Sequence, residues 1–258
     1  MEASTSVVRT VELNDGTRMP LLGLGTWKSS SSAAVCQSAV EAAIAAGYRH
    51  IDTAYSYRNE VEISKALRSK MQQGIIRRQD MYVVSKLWST HHATHDIPLC
   101  LNKSLSDLQL DYLDLYLMHF PIGLKVELHP YLVQSDLVEF CKSRNITLTA
   151  YSPLGSPGRP KEFHRGDTDP EKLLEDPVVG DVAKKHRRSP AQVLLRYHVQ
   201  QGIAVIPKSV KPNHILENTK IFDFSLTEED MSALRGLNRG WKSCIIDSLK
   251  SHPYYPFE

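Results

Sequence analysis

One feature constrains this chain more than any other: strand-like and helix-like segments alternate along nearly its whole length, and the alternation breaks once. "YRHIDTA", "MYVVSKLW", "YLDLYLMH", "ITLTAYSPLG" and "IAVIPKS" read as short, mostly apolar strands. Between them "AAVCQSAVEAAIAAG", "NEVEISKALRSKMQQG", "DIPLCLNKSLSDLQL", "QSDLVEFCKS" and "SPAQVLLRYHVQQG" read as helices. Gly47 and Gly74 stop the first two. Asp96 is expected to cap the third, with Pro98 in its first turn. Ser189 and Gln192 make a capping box for the fifth, with Pro190 at its first position. A loop is expected over roughly 156–176. "PNHILENT" and "LTEEDMSALRGL" predict a short helix and a terminal helix, and "VVRTVELNDGTRMPLLGLGT" a hairpin turned at Asn14-Asp15-Gly16, then a strand. The break is "HFPIGLKVELHPYL", residues 119–132, where no helix separates one strand end from the next helix.

Such alternation means parallel strands with helical crossovers, in an open doubly wound sheet or a closed (β/α)8 barrel. The doubly wound dinucleotide fold needs G-x-G-x-x-G after the first strand. "GLGTWKSSSS" lacks the third glycine, so the barrel is favoured, as one domain over residues 1–258. The chain has 258 residues and a net charge of +2, which gives no field to attract nucleic acid or a membrane surface. Cys36, Cys100, Cys141 and Cys244 are scattered, so neither a zinc site nor a disulfide framework is indicated. With no signal-like N-terminus and no long apolar run, a cytoplasmic setting is expected.

In a barrel, active residues cluster at the C-terminal ends of strands. Those ends hold Asp52, with Tyr57 just after it, then Lys86 and His119. Each alone has a plain structural explanation: an Asp caps a turn, and a Tyr packs with its hydroxyl wet. Lys86 is harder to dismiss, because a lysine inside an apolar strand wants a carboxylate or a task. Together the four suit carbonyl reduction. A hydride delivered to a carbonyl carbon leaves an alkoxide that needs a proton. A tyrosine donates it, a neighbouring ammonium lowers its pKa, a buried Asp holds the ammonium, and a histidine orients the carbonyl. His91, His92 and His95 in "THHATHD" imitate a metal cluster, but a solvated loop explains them better and no metal is expected.

"LLGLGTWKS", "GYRHIDTAYSYRNE", "VVSKLW", "LDLYLMHFP", "ELHPYLVQ", "TAYSPLGSP" and "IPKSVKP" together resemble the aldo-keto reductase superfamily, and within it the animal aldose- and aldehyde-reductase branch. The resemblance implies a (β/α)8 barrel that reduces aldehydes and ketones with NADPH. It makes Tyr57 the general acid, with Asp52, Lys86 and His119 completing a tetrad. It places Tyr151 against the nicotinamide ring and Ser152, Leu154 and Ser156 along the pyrophosphate. Lys208 and Ser209 match the 2′-phosphate site, a location that a helix start at Pro212 would favour independently. Glu217 and Asn218 match adenine contacts. Thr26 and Trp27 fall at the cofactor and pocket mouth, with Trp27 and Phe120 as pocket walls, although packing explains Phe120 equally well. His214 stands where the family usually has an arginine on the 2′-phosphate, and Gly158 where the branch has a latching Asp. Lys211 compensates in part, so NADPH is expected to bind more weakly than usual but still in preference to NADH.

Against this resemblance the break becomes intelligible. The family has a longer segment between the His119 strand and "VELHP", whereas here Lys125 runs directly into Val126. At ~30 residues per barrel unit, roughly 60 residues are missing: about α4-β5-α5 of the family barrel. A clean join of this kind is what a skipped exon produces. The missing part includes the family residues that grip the nicotinamide carboxamide. Parallel neighbours need a crossover of about a dozen residues, so "VELH" is not expected to pair in parallel with the His119 strand and should become loop or pair antiparallel. An exposed sheet edge would then invite an otherwise monomeric chain to associate. Two readings follow: an NADPH-dependent carbonyl reductase, or an impaired truncated isoform with residual NADPH binding.

Overall fold

The computed structural model describes residues 8–27, 33–91, 93–119, 125–161, 164, 166, 169–170 and 172–243. The expected hairpin is present: β1 (Thr10–Glu12) pairs antiparallel with β2 (Arg18–Pro20). Its turn uses Asp15, whose carboxylate accepts hydrogen bonds from Thr17 N at 2.9 Å and Thr17 Oγ1 at 2.7 Å. Gly16 supplies the left-handed residue at φ 82°.

Four parallel strands follow in order: β3 (Leu24–Gly25), β4 (His50–Asp52), β5 (Tyr82–Leu87) and β6 (Leu115–Met118). Three more form a second parallel ladder: β7 (Lys125–Glu127), β8 (Thr149–Tyr151) and β9 (Ala204–Val205). Parallel bridges Leu22↔Val205 and Gly25↔Lys208 set β9 beside β3. The "GLG" glycines make that approach possible. A Cβ on Gly25 would sit 2.6 Å from the Ile206 carbonyl oxygen, and one on Gly23 would sit 2.7 Å from the His50 ring. They serve close packing, not a phosphate.

Eight helices are described: α1 (Ala33–Ala45), α2 (Glu60–Gln72), α3 (Asp96–Leu108), α4 (Ser135–Ser143), α5 (Pro177–His186), α6 (Pro190–Val199), α7 (Pro212–Asn218) and α8 (Glu228–Arg235). Ile44 of α1, Ile63 and Leu67 of α2 and Leu195 of α6 bury against Ile51, Val83 and Val205 of the strands. This is the layer of apolar contact that drives a crossover helix onto a parallel sheet. A second cluster, with Tyr131, Val179, Leu194 and Leu234, joins α5, α6 and α8. Among the described residues no helix is long and apolar enough to cross a membrane.

Several expectations need correction. The barrel is not the closed eight-stranded one: seven parallel strands are described, and no ladder joins β6 to β7 among the described residues. Residues 120–124, which connect them, lie outside the described residues. "VELH" does not pair in parallel with the His119 strand among the described residues, as expected, but it is only partly loop or antiparallel: Val126 and Glu127 lie in β7, Leu128 follows the strand, and His129 makes an antiparallel bridge to Leu132. β7 pairs in parallel with β8, Val126 opposite Ala150 and Glu127 opposite Tyr151. Only the connection before β7 is too short for a parallel crossover; the one after it contains α4 and is long enough. Leu99 and Met118 on α3 and β6, and Leu137 and Phe140 on α4, are among the exposed apolar side chains, as are Val61 and Leu216 elsewhere. Asp96 is the first residue of α3 rather than its cap, which is His95. Helix α5 is an addition, capped by Asp176, whose carboxylate accepts from Val178 N at 2.9 Å. The capping box of α6 forms as expected.

Candidate active site

Parallel pairing brings the C-terminal ends of β4, β5 and β6 side by side. Asp52 ends β4, and a short 3-10 turn, Tyr55–Tyr57, carries Tyr57 just beyond it. Lys86 lies near the end of β5, and His119 follows β6. Strand alternation decides where Lys86 points. Its neighbour Ser85 donates to Glu60 of α2 at 2.7 Å, on the helical side of the sheet, so Lys86 faces the other way. There its ammonium donates to Asp52 Oδ1 at 3.0 Å, to the Thr53 carbonyl at 2.5 Å and to the Tyr57 hydroxyl at 3.2 Å. Lys86 and Asp52 are only 4% and 2% exposed, so this is a desolvated ion pair. The His119 ring packs edge-on to Tyr57, with centroids 5.4 Å apart at 77°, and edge-on to Trp88 at 5.2 Å.

Burial pushes the Lys86 pKa down, and the Tyr57 oxygen beside it pushes it back up. Burial, then the Lys86 charge, lowers the His119 pKa to about 3, so its ring is neutral at pH 7. His198, between α6 and the sheet, is also lowered to about 3, by burial first and then by His129. Both rings are neutral when folded and titrate near 6.5 when released. The unfolded chain therefore binds more protons below that pH. Their stabilising effect is present above about pH 6.5 and is lost as pH falls towards 3, by up to ~1.4 kcal/mol per histidine per pH unit. Urea midpoints measured at pH 7 and pH 5 should show a clear fall. An equal midpoint at both would mean these rings are not buried neutral.

Three side chains that the sequence did not single out brace this cluster. Asn59 is buried, donates to the Thr26 carbonyl at 2.8 Å and accepts from Thr53 Oγ1 at 3.3 Å. Ser56 Oγ lies 3.2 Å from His119 Nδ1. Trp88 flanks the same ring. The available sequence signal was position alone: all three lie within two residues of a tetrad member. Thr26 belongs to this brace as well. Its hydroxyl donates to the Asp52 carbonyl at 2.9 Å and it is 1% exposed, so it fixes the strand end rather than offering a free polar group.

The residues expected at the cofactor lie on the adjoining strand ends. Tyr151 closes β8, half-buried. Ser152 and Ser156 take left-handed φ of 50° and 53°, with Gly155 N donating to the Ser152 carbonyl at 2.8 Å, so the chain folds back tightly with Leu154 between. Lys208 follows β9; burial lowers its pKa, and no carboxylate pairs with it among the described residues. The Ser209 hydroxyl accepts from Lys211 N at 3.2 Å ahead of α7. His214 is exposed in the first turn of that helix, and Glu217 is half-buried near its end. Asn218, the last residue of α7, is 3% exposed and hydrogen-bonds the buried Tyr48 hydroxyl. Trp27 is half-buried directly after Thr26. Phe120 lies outside the described residues, as do His92 and Cys244.

Comparison with known proteins identifies the family. The family model described as "Aldo/keto reductase family" matches residues 21–126 and 122–239, two stretches that meet at the sequence break. Aldo-keto reductase family 1 member A1-A of Danio rerio is 39% identical over 323 residues, covering 96% of this chain and 98% of the relative. The human family 1 member A1 is 37% identical over 322 residues, at 96% and 97% coverage. Human family 1 member C4 is 38% identical over 319, at 96% and 97%. Each alignment is longer than the 258-residue chain itself, so each relative carries residues without a counterpart here. Matched in two stretches along most of its length, the chain belongs to the aldo/keto reductase family, whose chemistry is the oxidation and reduction of carbonyl compounds.

Proposed function

We propose that this chain is an NADPH-dependent reductase of small aldehydes and ketones, with residues 1–258 forming one incomplete domain of the family. The observation that carries the reading is the Lys86 ammonium, 3.2 Å from the Tyr57 hydroxyl and held by Asp52 at 3.0 Å. Tyr57 gives its proton to the carbonyl oxygen. Lys86 stabilises the phenolate left behind, because a charge 3–4 Å away acts strongly in a site with little water. Asp52 and the Thr53 carbonyl keep that ammonium charged and in place. Neutral His119 donates a hydrogen bond that orients the carbonyl, while Trp27 walls the pocket.

The chain's residues fit the cofactor. Lys208 is an exposed cation just after β9 and ahead of α7, a position from which its ammonium can meet a phosphate. Together Lys208, Ser209, Lys211 and His214 would hold the 2′-phosphate. Ser152, Leu154 and Ser156 would line the pyrophosphate, Tyr151 would stack on the nicotinamide, and Glu217 would face the adenine. NADPH, when bound, supplies the hydride. The buried thiols Cys36, Cys100 and Cys141 suit a reducing, cytoplasmic compartment.

Following the loss of NADPH absorbance with the purified chain and a small aromatic aldehyde tests this. Turnover is expected, faster with NADPH than with NADH. Folded protein that oxidises neither would favour a second reading: an internally deleted isoform, impaired in catalysis. That no ladder joins β6 to β7 among the described residues supports that second reading, as do the two family-model stretches meeting near Lys125 and the excess length of the alignments.

A further inference from the structure

His119 is neutral, so its ring carries one N–H, and the position of that proton decides what the ring can do. A substrate carbonyl oxygen only accepts hydrogen bonds. A ring nitrogen facing it must therefore be the protonated one, and the other must be an acceptor that is satisfied elsewhere. Stacking does not settle this choice. Tyr57 and Trp88 hold the plane of the ring from two sides, at 5.4 and 5.2 Å, but neither distinguishes one nitrogen from the other.

Ser56 does distinguish them. Its Oγ is 3.2 Å from Nδ1. It sits in the same short turn as the acid, one residue before Tyr57. Tyr57 N donating to the Ala54 carbonyl at 2.9 Å, and Arg58 held left-handed at φ 53°, pin that turn. The hydroxyl is therefore placed as firmly as the tyrosine itself. We infer that Ser56 is a positioning residue: its hydroxyl donates to His119 Nδ1 and so fixes the ring proton on Nε2, the tautomer able to hydrogen-bond a carbonyl oxygen. The direction of this hydrogen bond and its catalytic consequence rest on the reductase reading above, because a serine hydroxyl can donate or accept; the Ser56–His119 contact itself does not.

Imidazole resonances of the full chain, labelled with 15N histidine, test both parts. The His119 signals are identified by their loss in His119→Gln. The wild type should show a neutral ring protonated at Nε2. Ser56→Ala should shift both ring nitrogens towards a mixed tautomer, and Ser56→Thr, which keeps the hydroxyl, should restore them. In turnover assays Ser56→Ala should lower kcat by about fivefold, the loss of one hydrogen bond, with KM for NADPH unchanged and with rescue by Ser56→Thr. A wild-type ring protonated at Nδ1, or unchanged resonances in Ser56→Ala, overturns the assignment. Resonances that behave as expected in a chain without turnover would count against the reductase reading and leave the hydrogen bond standing.

Discussion

Tyr57→Phe is expected to lower turnover by a factor of about 10²–10⁴, the range that a positioned general acid contributes. The substitution is narrow. Phenylalanine keeps the ring, and with it the edge-on contact to His119 at 5.4 Å. Only the hydroxyl is lost, 3.2 Å from Lys86 Nζ. The ammonium keeps Asp52 at 3.0 Å and the Thr53 carbonyl at 2.5 Å, so stability should change by no more than about 1 kcal/mol. KM for NADPH should stay nearly constant, because the lost interaction is strongest in the transition state. Single-turnover measurement of NADPH oxidation by both proteins decides it. A variant as fast as wild type would remove Tyr57 from the mechanism, whatever the family resemblance implies. A lost rate in a stable variant would mean that the site works although no ladder joins β6 to β7 among the described residues.

The tetrad was legible in the sequence because of what burial does to charge. A lysine inside "VVSKLW" is intelligible only with a partner, and the periodicity of parallel strands names the neighbours that can supply one. The braces were not legible in the same way. Asn59 and Ser56 are ordinary polar residues in sequence, and their role comes from the neighbours that folding brings to them. Asn59 spans from Thr26 to Thr53, and Ser56 meets a histidine sixty-three positions away. Thr26 and Asn218 show the converse. Their positions match cofactor contacts, but their side chains are engaged by Asp52 and Tyr48.

Element type was also easier to read than pairing. Helix α5 is hard to read from sequence because "PVVGDVAKKH" mixes β-branched residues with Gly180, both poor helix formers, and is sustained by its Asp176 cap and by burial of Val179 and Val182. The strand at "KVE" is obscured in the sequence by the short connection before it, which rules out only one of its possible partners. The adequate crossover after it settles its partner, β8. Local sequence specifies a segment's preference; the partner of an edge strand depends on which connections are long enough to close.

Lys86→Met should destabilise the fold by about 3–5 kcal/mol, because it leaves the Asp52 carboxylate desolvated without its counter-charge. That is a large part of the ~5–15 kcal/mol that holds a domain together, and it should lower Tm by about 10 °C. The reverse truncation, Asp52→Leu, should cost a similar amount, because it leaves the Lys86 ammonium desolvated without its carboxylate. The double variant Lys86→Met/Asp52→Leu replaces the pair by apolar groups of similar size and should recover most of the lost stability. Urea denaturation of the four proteins at pH 7 gives the coupling directly. Turnover should follow a different order: absent in Lys86→Met and still absent in the double variant, because no ammonium remains beside Tyr57 to stabilise its phenolate. A double variant as unstable as Lys86→Met would show that the ion pair is not what holds these strand ends. A double variant that regains turnover would show that Tyr57 needs no cation. Recovered folding without recovered activity would mean that this buried charge is kept for chemistry, at the expense of stability.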